Sequence, residues 1–456
     1  MFGPVAAAPR RPNQEVFPMS RSNSGFAVSQ SPATHRPPVR AEPGADNVAS
    51  AISACIAASD HRVFAFDRWL VRKLLHAIGS PPIRIVLWNG EESGDGSGPP
   101  MARIAFHDRT TLLKVLLDPH VQFGEAFSDG RLEVEGDLEA FLETIDHAEA
   151  SAPGSPIPAA ILRWLHRARA NTLSAAKEHI EHHYDIGDDF YRLWLDDQMI
   201  YSGAYFTSPT MTLEEAQQAK LNYVCRKLGL RAGETVVEVG GGWGALGLLM
   251  ARDYGVTVKS FNISHSQILY GRLRAQVEGL NSRIEFIEDD YRNISGQFDA
   301  LVSLGMLEHV GRDYYREFGR MMGRCLRANG RGLIQTIGQD RSVPINAWIE
   351  RRIFPGAYPP TLSEMGVLFE PWGFSILDVE NLRLHYAETL RRWRERFEAS
   401  VDTVAAMFDE QFVRLWRLYL AGSQAAFAAG TLQLFQVLFA RSGNNEIPTT
   451  HAAWYN

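Results

Sequence analysis

The chain predicts an α/β architecture in which a parallel sheet is covered by helices on both faces, with a small α+β domain ahead of it. Three observations carry that prediction. From about Leu221 strand-like and helix-like runs alternate: "TVVEVG", a helix from Ala245, "VTVKSFN", a helix from Ser264, "IEFIEDD", "FDALVSLG", a helix through Met321, and "RGLIQTI". Such alternation builds parallel sheets with crossover helices. The stretch "VVEVGGGWGALGLLMA", Val236 to Ala251, has a strand-like run followed by five glycines in eight residues, at the carboxyl edge of the sheet where open α/β folds bind ligands. Nearer the amino terminus, from about Asp60 to Ile145, short alternating runs such as "IRIVLW" and "MARIAF" are split by "NGEESGDGSGPP" and closed by "GRLEVEGDLEAFLETI", the pattern of a separate small domain.

Taken in order, residues 1–50 are rich in Pro, Ser, Ala and Arg without an apolar run long enough for a signal peptide, and read as a disordered tail. The small domain takes 51–148. "HAEASAPGSPIPAA" marks a linker over 149–165, and the main domain runs 166–442, ahead of a tail over 443–456. "AGSQAAFAAGTLQLFQVLFA", Ala421 to Ala440, is the most membrane-like stretch, but Ser423, Gln424, Gln433 and Gln436 favour a packed helix with a polar edge over a membrane span. A net charge of -7 argues against a dedicated nucleic-acid binder. Cys55, Cys225 and Cys325 are too scattered for a disulfide framework or zinc knuckle, which suits a cytoplasmic setting.

The glycine turn poses the first chemical choice. Gly242, Gly244 and Gly247 satisfy the dinucleotide pattern GxGxxG, yet "VTVKSFNIS" offers no acid to hold a nicotinamide ribose. Glu238, Gly240, Gly242 and Gly244 fill the pattern acidic-x-Gly-x-Gly-x-Gly without a gap. That is how S-adenosylmethionine sites begin, with a carboxylate and bare backbone beside the amino-acid part of a cationic cofactor. A methyltransferase is therefore expected over a dehydrogenase or a merely structural turn.

Longer motifs then resemble one family. "EHHYDIGDDFYRLWLDDQMIYSGAYF" (Glu181 to Phe206), "LVSLGMLEHVG", "RRIFPGAYPPTLSEM", "NLRLHYAETLRRWRERF" and "RLWRLYLAGSQAAF" resemble, in order and spacing, the cyclopropane-fatty-acyl-phospholipid synthases and the related mycolic acid methyltransferases. The small domain resembles that of the phospholipid-acting members. The resemblance implies a seven-stranded Rossmann-like class I methyltransferase fold with helical insertions, and methyl transfer from S-adenosylmethionine to the double bond of an unsaturated acyl chain.

For the cofactor, the resemblance selects Tyr201, Ser202, Gly240, Gly242, Gly244, Asn262, Ile263, Ser264 and Gln267, with Asp290 and Tyr291 beside the adenine. For the base that removes the last proton, relatives hold bicarbonate with five groups, and the matching positions here are Gly203, Glu308, Gln335, Ile337 and Tyr386. Two of the five depart from the family pattern: glycine replaces a cysteine and glutamine replaces a histidine. An amide donates but carries no proton. Cyclopropanation is the expected outcome, with a methylene or a methyl branch, the latter needing a reductase partner, as the alternative fates of the same carbocation. Aromatic faces able to stabilise that cation are Tyr184, Tyr201, Tyr205, Phe206, Tyr386 and Trp393, all of which could equally fill a core.

Other clusters carry less. His179, His182 and His183 with Glu181 suggest metal only weakly, and no metal is expected. Arg320, Arg324, Arg327 and Arg331 read as a solvated helical stripe. Arg391, Arg392, Arg394 and Arg396, interleaved with Trp393 and Phe397, offer a surface for anionic head groups. "IERRIFPGAYPPTLSEM", with Phe354 and Tyr358, is the candidate tunnel mouth. Expected partners are unsaturated phospholipids at the inner face of the membrane, and a homodimer is open. A methyltransferase for small soluble metabolites, or a non-catalytic lipid-binding relative, is the reading from another class.

Overall fold

In the computed structural model, which describes residues 62–77, 81–94, 99–151, 186–448 and 450–455, two sheets lie on a shared framework of helices. The small domain runs α1 (Ala65–Ala77), β1 (Ile83–Val86), β2 (Glu92–Ser93), β3 (Ala102–Phe106), α2 (Arg109–Leu117), α3 (Pro119–Ser128), β4 (Leu132–Gly136) and α4 (Leu138–Ser151). Its strands are ordered β2-β1-β3-β4, with β1 and β3 parallel and the outer pairs antiparallel. Ile83 and Ile85 share the buried side with Ala102, Ile104 and Phe106, as alternation requires. Asp108 starts α2 by accepting the Thr111 amide at 2.8 Å, and Pro119 opens α3 where its missing N–H costs nothing.

The larger part runs α5 (Asp188–Arg192), α6 (Leu213–Leu228), β5 (Thr235–Val239), α7 (Ala245–Asp253), β6 (Thr257–Asn262), α8 (His265–Val277), β7 (Ile284–Glu288), β8 (Phe298–Leu304), α9 (Leu307–Val310), α10 (Tyr315–Cys325), β9 (Leu326–Gln339), α11 (Ala347–Arg352), β10 (Phe374–Asn381), α12 (Arg383–Glu398), α13 (Val401–Met407), α14 (Glu410–Ala429) and β11 (Leu432–Arg441). Seven strands form one sheet in the order β10-β11-β9-β8-β5-β6-β7. β11 runs antiparallel to both neighbours, while β5 to β9 are parallel. The order reverses at β5, so the crevice beside the Gly240 turn is the topological switch point. This is the seven-stranded methyltransferase topology that the sequence predicts.

Four expectations need correction. Ala421–Ala440 is not one helix: α14 ends at Gly430, in the left-handed region with φ +86°, and "LQLFQVLFAR" becomes the strand between β9 and β10. Its polar residues are absorbed by the sheet, where Gln436 faces Gln335. The arginine stripe is broken as well, because α10 stops at Cys325 and Arg327 and Arg331 lie on β9, paired with Asp299 and Glu234. The Arg391–Arg396 patch is neutralised: Arg391 and Arg392 pair with Glu388, Arg394 with Glu139 and Arg396 with Glu214. Within 443–456, Trp454 is buried and its carbonyl accepts from Arg226 at 2.8 Å, so this segment returns to the fold. The expected tail over 1–50, most of the linker, Tyr184 and the His179–His183 cluster lie outside the described residues. Among the described residues no helix is long and apolar enough to cross a membrane.

The small domain docks on α14 and α11. Arg414 donates to the carbonyls of Phe127 (2.6 Å) and Leu132 (3.0 Å). Gln411 donates to Asp129 at 2.6 Å, and Arg352 pairs with Glu125. These contacts hold α3 against the main domain, where it becomes a wall of the site.

Candidate active site

The glycine turn leaves β5 with Gly240 at φ +84° and Gly242 at φ +52°, values that L side chains rarely adopt. A Cβ on Gly242 would stand in open space, whereas one on Gly240 would press on Met306 at 2.9 Å. The turn thus has a bare face toward the crevice and a packed face toward the protein. Around the crevice stand Met199, Tyr201, Ser202, Lys220, Glu238, Gly240, Gly242, Asn262, Gln267, Gly305, Met306 and His309. Asn262 ties this wall together by donating to Gln267 at 2.7 Å and to the Gly242 carbonyl at 3.4 Å. Seven residues that the sequence assigns to the cofactor therefore meet here: Tyr201, Ser202, Glu238, Gly240, Gly242, Asn262 and Gln267. Gly244 (φ +91°) caps α7 instead, and Ile263, Ser264, Asp290 and Tyr291 are not among the residues lining the crevice, the last two following the end of β7.

Glu238 is buried beneath the turn, and the Ser260 hydroxyl donates to it at 2.6 Å. Burial pushes its carboxyl up to about 7, against the pull of Ser260 and Lys220. The segment 196–206 is pinned from below. Buried Asp196 accepts from the amides of Gln198 (3.0 Å) and Ile200 (2.8 Å), enclosing Met199 at φ +59°. Met199 is the one non-glycine residue with positive φ among the described residues, and such strain gathers at functional sites. Gln217 donates to the Ser202 carbonyl at 2.9 Å, and Thr389 accepts from the Ala204 amide at 2.9 Å.

A second and larger cavity, of about 690 Å³, opens on the other side of Tyr201. Its inner end is lined by Glu308, Gln335, Ile337 and Tyr386, and its length by Leu390, Leu418, Phe427, Leu434 and Phe354. Its outer end is lined by the 340–346 loop, Trp348, and Asp118, Pro119, His120 and Phe123 of the small domain. Tyr201, Ser202, Gly305 and His309 belong to both cavities. The two spaces meet there.

At that inner end, Glu308 Oε1 accepts the Ile337 amide at 2.5 Å, while its Oε2 is buried without a hydrogen-bond partner. Burial pushes the carboxyl up to about 7. Gln335 Oε1 accepts from Gln436 at 3.1 Å, leaving the buried Gln335 Nε2 without an acceptor. A bare acceptor and a bare donor on one cavity wall suit a small group that both donates and accepts, as bicarbonate does. The Ile337 amide, by contrast, is already engaged by Glu308. Gly203 lies outside the cavity lining, packed on Tyr386: a Cβ there would stand 2.8 Å from Leu434 Cδ2 and 3.2 Å from Tyr386 Cγ. Gly203→Cys is therefore expected to cost about 1–3 kcal/mol by overpacking, with Leu434→Ala restoring stability in a thermal melt of the double variant.

Of the candidate cation-stabilising rings, Tyr201 and Tyr386 face the cavity. Tyr205 is instead stacked between Tyr223 (4.5 Å) and His385 (4.7 Å). Phe206 is outside the lining, and Trp393 is fully buried behind Tyr201 and Tyr386. In the expected tunnel mouth Phe354 lines the cavity, but Tyr358 turns away to bond Glu364 at 2.9 Å. The sequence reading missed Lys220, Asp196 and His309, and also the small-domain wall.

A family model described as mycolic acid cyclopropane synthetase matches residues 171–437, and one described as a domain of unknown function matches 70–154. The chain is 35% identical over 386 residues to a probable fatty acid methyltransferase of Pseudomonas putida, covering 82% of this chain and 96% of that one. It is 34% identical over 357 residues to the cyclopropane-fatty-acyl-phospholipid synthase of Escherichia coli (strain K12), covering 77% and 90%. Among solved structures, mycolic acid cyclopropane synthase CmaA1 complexed with SAH and CTAB superposes with a TM-score of 0.56 at 30% identity, covering 58% of this chain and 98% of that one.

Proposed function

The chain belongs to the mycolic acid cyclopropane synthetase family, and from that premise we propose that it transfers a one-carbon unit to the cis double bond of an unsaturated phospholipid acyl chain, forming a cyclopropane fatty acid. It is an S-adenosylmethionine-dependent methyltransferase acting on lipid acyl chains. The observation that carries the finer reading is the junction at Tyr201, Ser202, Gly305 and His309, where a crevice with a bare glycine turn meets a long apolar cavity.

S-adenosylmethionine, when bound at the Gly240 turn, would supply an electrophilic methyl, and bicarbonate, for which Glu308 and Gln335 offer an acceptor and a donor, would supply a base. An alkene is a poor nucleophile, so the chain's own work is alignment and exclusion of water. Leu390, Leu418, Phe427 and Leu434 keep the acyl chain dry and extended toward the junction. The faces of Tyr201 and Tyr386 and the carboxylate of Glu308 stabilise the positive charge left on the acyl chain. Glu308, fixed by the Ile337 amide, then receives or relays the proton whose loss closes the ring. A methylene or methyl-branched product by the same cation is the second reading, favoured by Gln335, which passes on no proton. Hydrogenation of the product separates ring from methylene.

The reading is tested by S-adenosylhomocysteine release on vesicles whose phospholipids carry one cis double bond per chain, against fully saturated vesicles. Release on the first alone is expected; equal release on both contradicts it. We also place the membrane contact at the cavity mouth, where Leu117 (85% exposed) adjoins the lining residues Asp118 and Pro119, and Val343 (48%) lies in the lining loop. Serine at both positions is expected to lower the rate on vesicles about 10-fold, through lost apolar insertion, and to leave the rate on detergent-dispersed lipid unchanged. On this reading we propose a peripheral enzyme that works at the inner face of the membrane.

A further inference from the structure

Two lysines of α6 are buried, and they are treated differently by the fold. Lys227 is paired with Asp378 at 2.6 Å and with Glu380 at 3.2 Å. Lys220, 1% exposed, makes one hydrogen bond, to Ser202 Oγ at 3.0 Å, and has no ion-pair partner among the described residues. Asp196 and Glu238 attract it from a distance, but neither forms an ion pair with it: both Asp196 oxygens accept from the Ile200 and Gln198 amides, and one Glu238 oxygen, Oε2, accepts from Ser260. Burying an ammonium without a counter-charge is costly, and folds retain one where a ligand provides the partner. Lys220 and Ser202 both line the crevice under the glycine turn, and burial lowers the Lys220 amine to about 8.

Resting on the methyltransferase reading, we propose that Lys220 is a cofactor-binding residue whose ammonium, together with Ser202, holds the carboxylate of the amino-acid part of S-adenosylmethionine. The anion completes the ion pair that the protein leaves open. Glu238, across the same crevice, is then the complementary group for the amino end, so the zwitterionic part of the cofactor is bracketed by opposite charges. Among the crevice residues Lys220 is the one lysine or arginine, since the rest of the wall offers the Glu238 carboxylate, amides, hydroxyls and apolar groups, with His309 at the junction.

The test compares S-adenosylmethionine with its decarboxylated analogue, which keeps the adenosine, sulfonium and amine. Titration calorimetry on the full chain is expected to show the wild type preferring the carboxylated form on the order of 10- to 100-fold, the range of a charge-assisted hydrogen bond. In Lys220→Met that preference disappears, while affinity for the decarboxylated form stays at the wild-type value. A preference that survives in Lys220→Met, or a wild type that does not distinguish the two, overturns the assignment. Equal weakening toward both compounds in the variant also overturns it, by assigning Lys220 to support of the crevice. A wild type that binds neither compound removes the methyltransferase reading itself, and the role of Lys220 with it.

Discussion

Glu308→Gln is expected to lower turnover on unsaturated lipid by about 10²–10⁴-fold, the span of a positioned acid–base group, with cofactor affinity unchanged. Glutamine keeps the volume and still accepts the Ile337 amide, but it provides no charge for a cation and takes no proton. The same substitution should stabilise the fold in alkaline buffer. Burial raises the Glu308 carboxyl from 4.5 to about 7 in the folded state. The folded chain therefore binds this proton more tightly than the unfolded chain, and the group's contribution is complete below about 4.5 and is lost as pH rises through about 7. Above that pH the ionised carboxylate burdens the wild type by on the order of 3 kcal/mol, which the neutral amide avoids. Denaturant titration at pH 5 and pH 8 checks this: the variant should gain on the wild type much more at the higher pH. The wild-type rate should rise with pH around the same value, because only the ionised group stabilises the cation and can receive or relay its proton. A variant that is both active and no more stable at pH 8 would contradict the placement of Glu308.

The second large effect is expected at the glycine turn. Gly242→Val should reduce S-adenosylmethionine affinity by more than a hundred-fold, measured by calorimetry, while the sheet melts only slightly earlier. At φ +52° a branched side chain costs about 1–2 kcal/mol of backbone strain, a modest loss for the fold. The larger loss is steric, since a Cβ at this position meets no protein atom within 4 Å and the side chain it carries stands instead in the space the ligand needs. Gly242→Ala should fall between valine and wild type. Unchanged affinity in the valine variant would move the cofactor away from this turn.

Much of this was legible from residue order. Glu238, Gly240 and Gly242 announced the turn by spacing alone, and the five parallel strands announced themselves by alternation with helices. β11 was not legible, because "LQLFQVLFAR" is buried on both faces and so lacks the period that distinguishes strand from helix. Only Gly430 hinted at the break. Lys220 was hidden for a different reason: within "LEEAQQAKLNY" a lysine reads as solvated, while its hydrogen-bond partner, Ser202, comes from another segment of the chain. The arginines after Trp393 looked like a lipid-facing patch because their acidic partners, Glu139 and Glu214, come from other elements. Long-range packing decides such charges, and local pattern does not reveal it.

The central claim is that carbon passes from the cofactor crevice into the acyl cavity through the Tyr201–His309 junction. The most direct measurement is to supply S-adenosylmethionine with a fully deuterated methyl to the purified chain and unsaturated phospholipid vesicles, then weigh the released fatty acids. The account predicts acyl chains one carbon heavier that carry deuterium and resist hydrogenation as a ring does. Unlabelled acyl chains from protein that still binds the cofactor would contradict it.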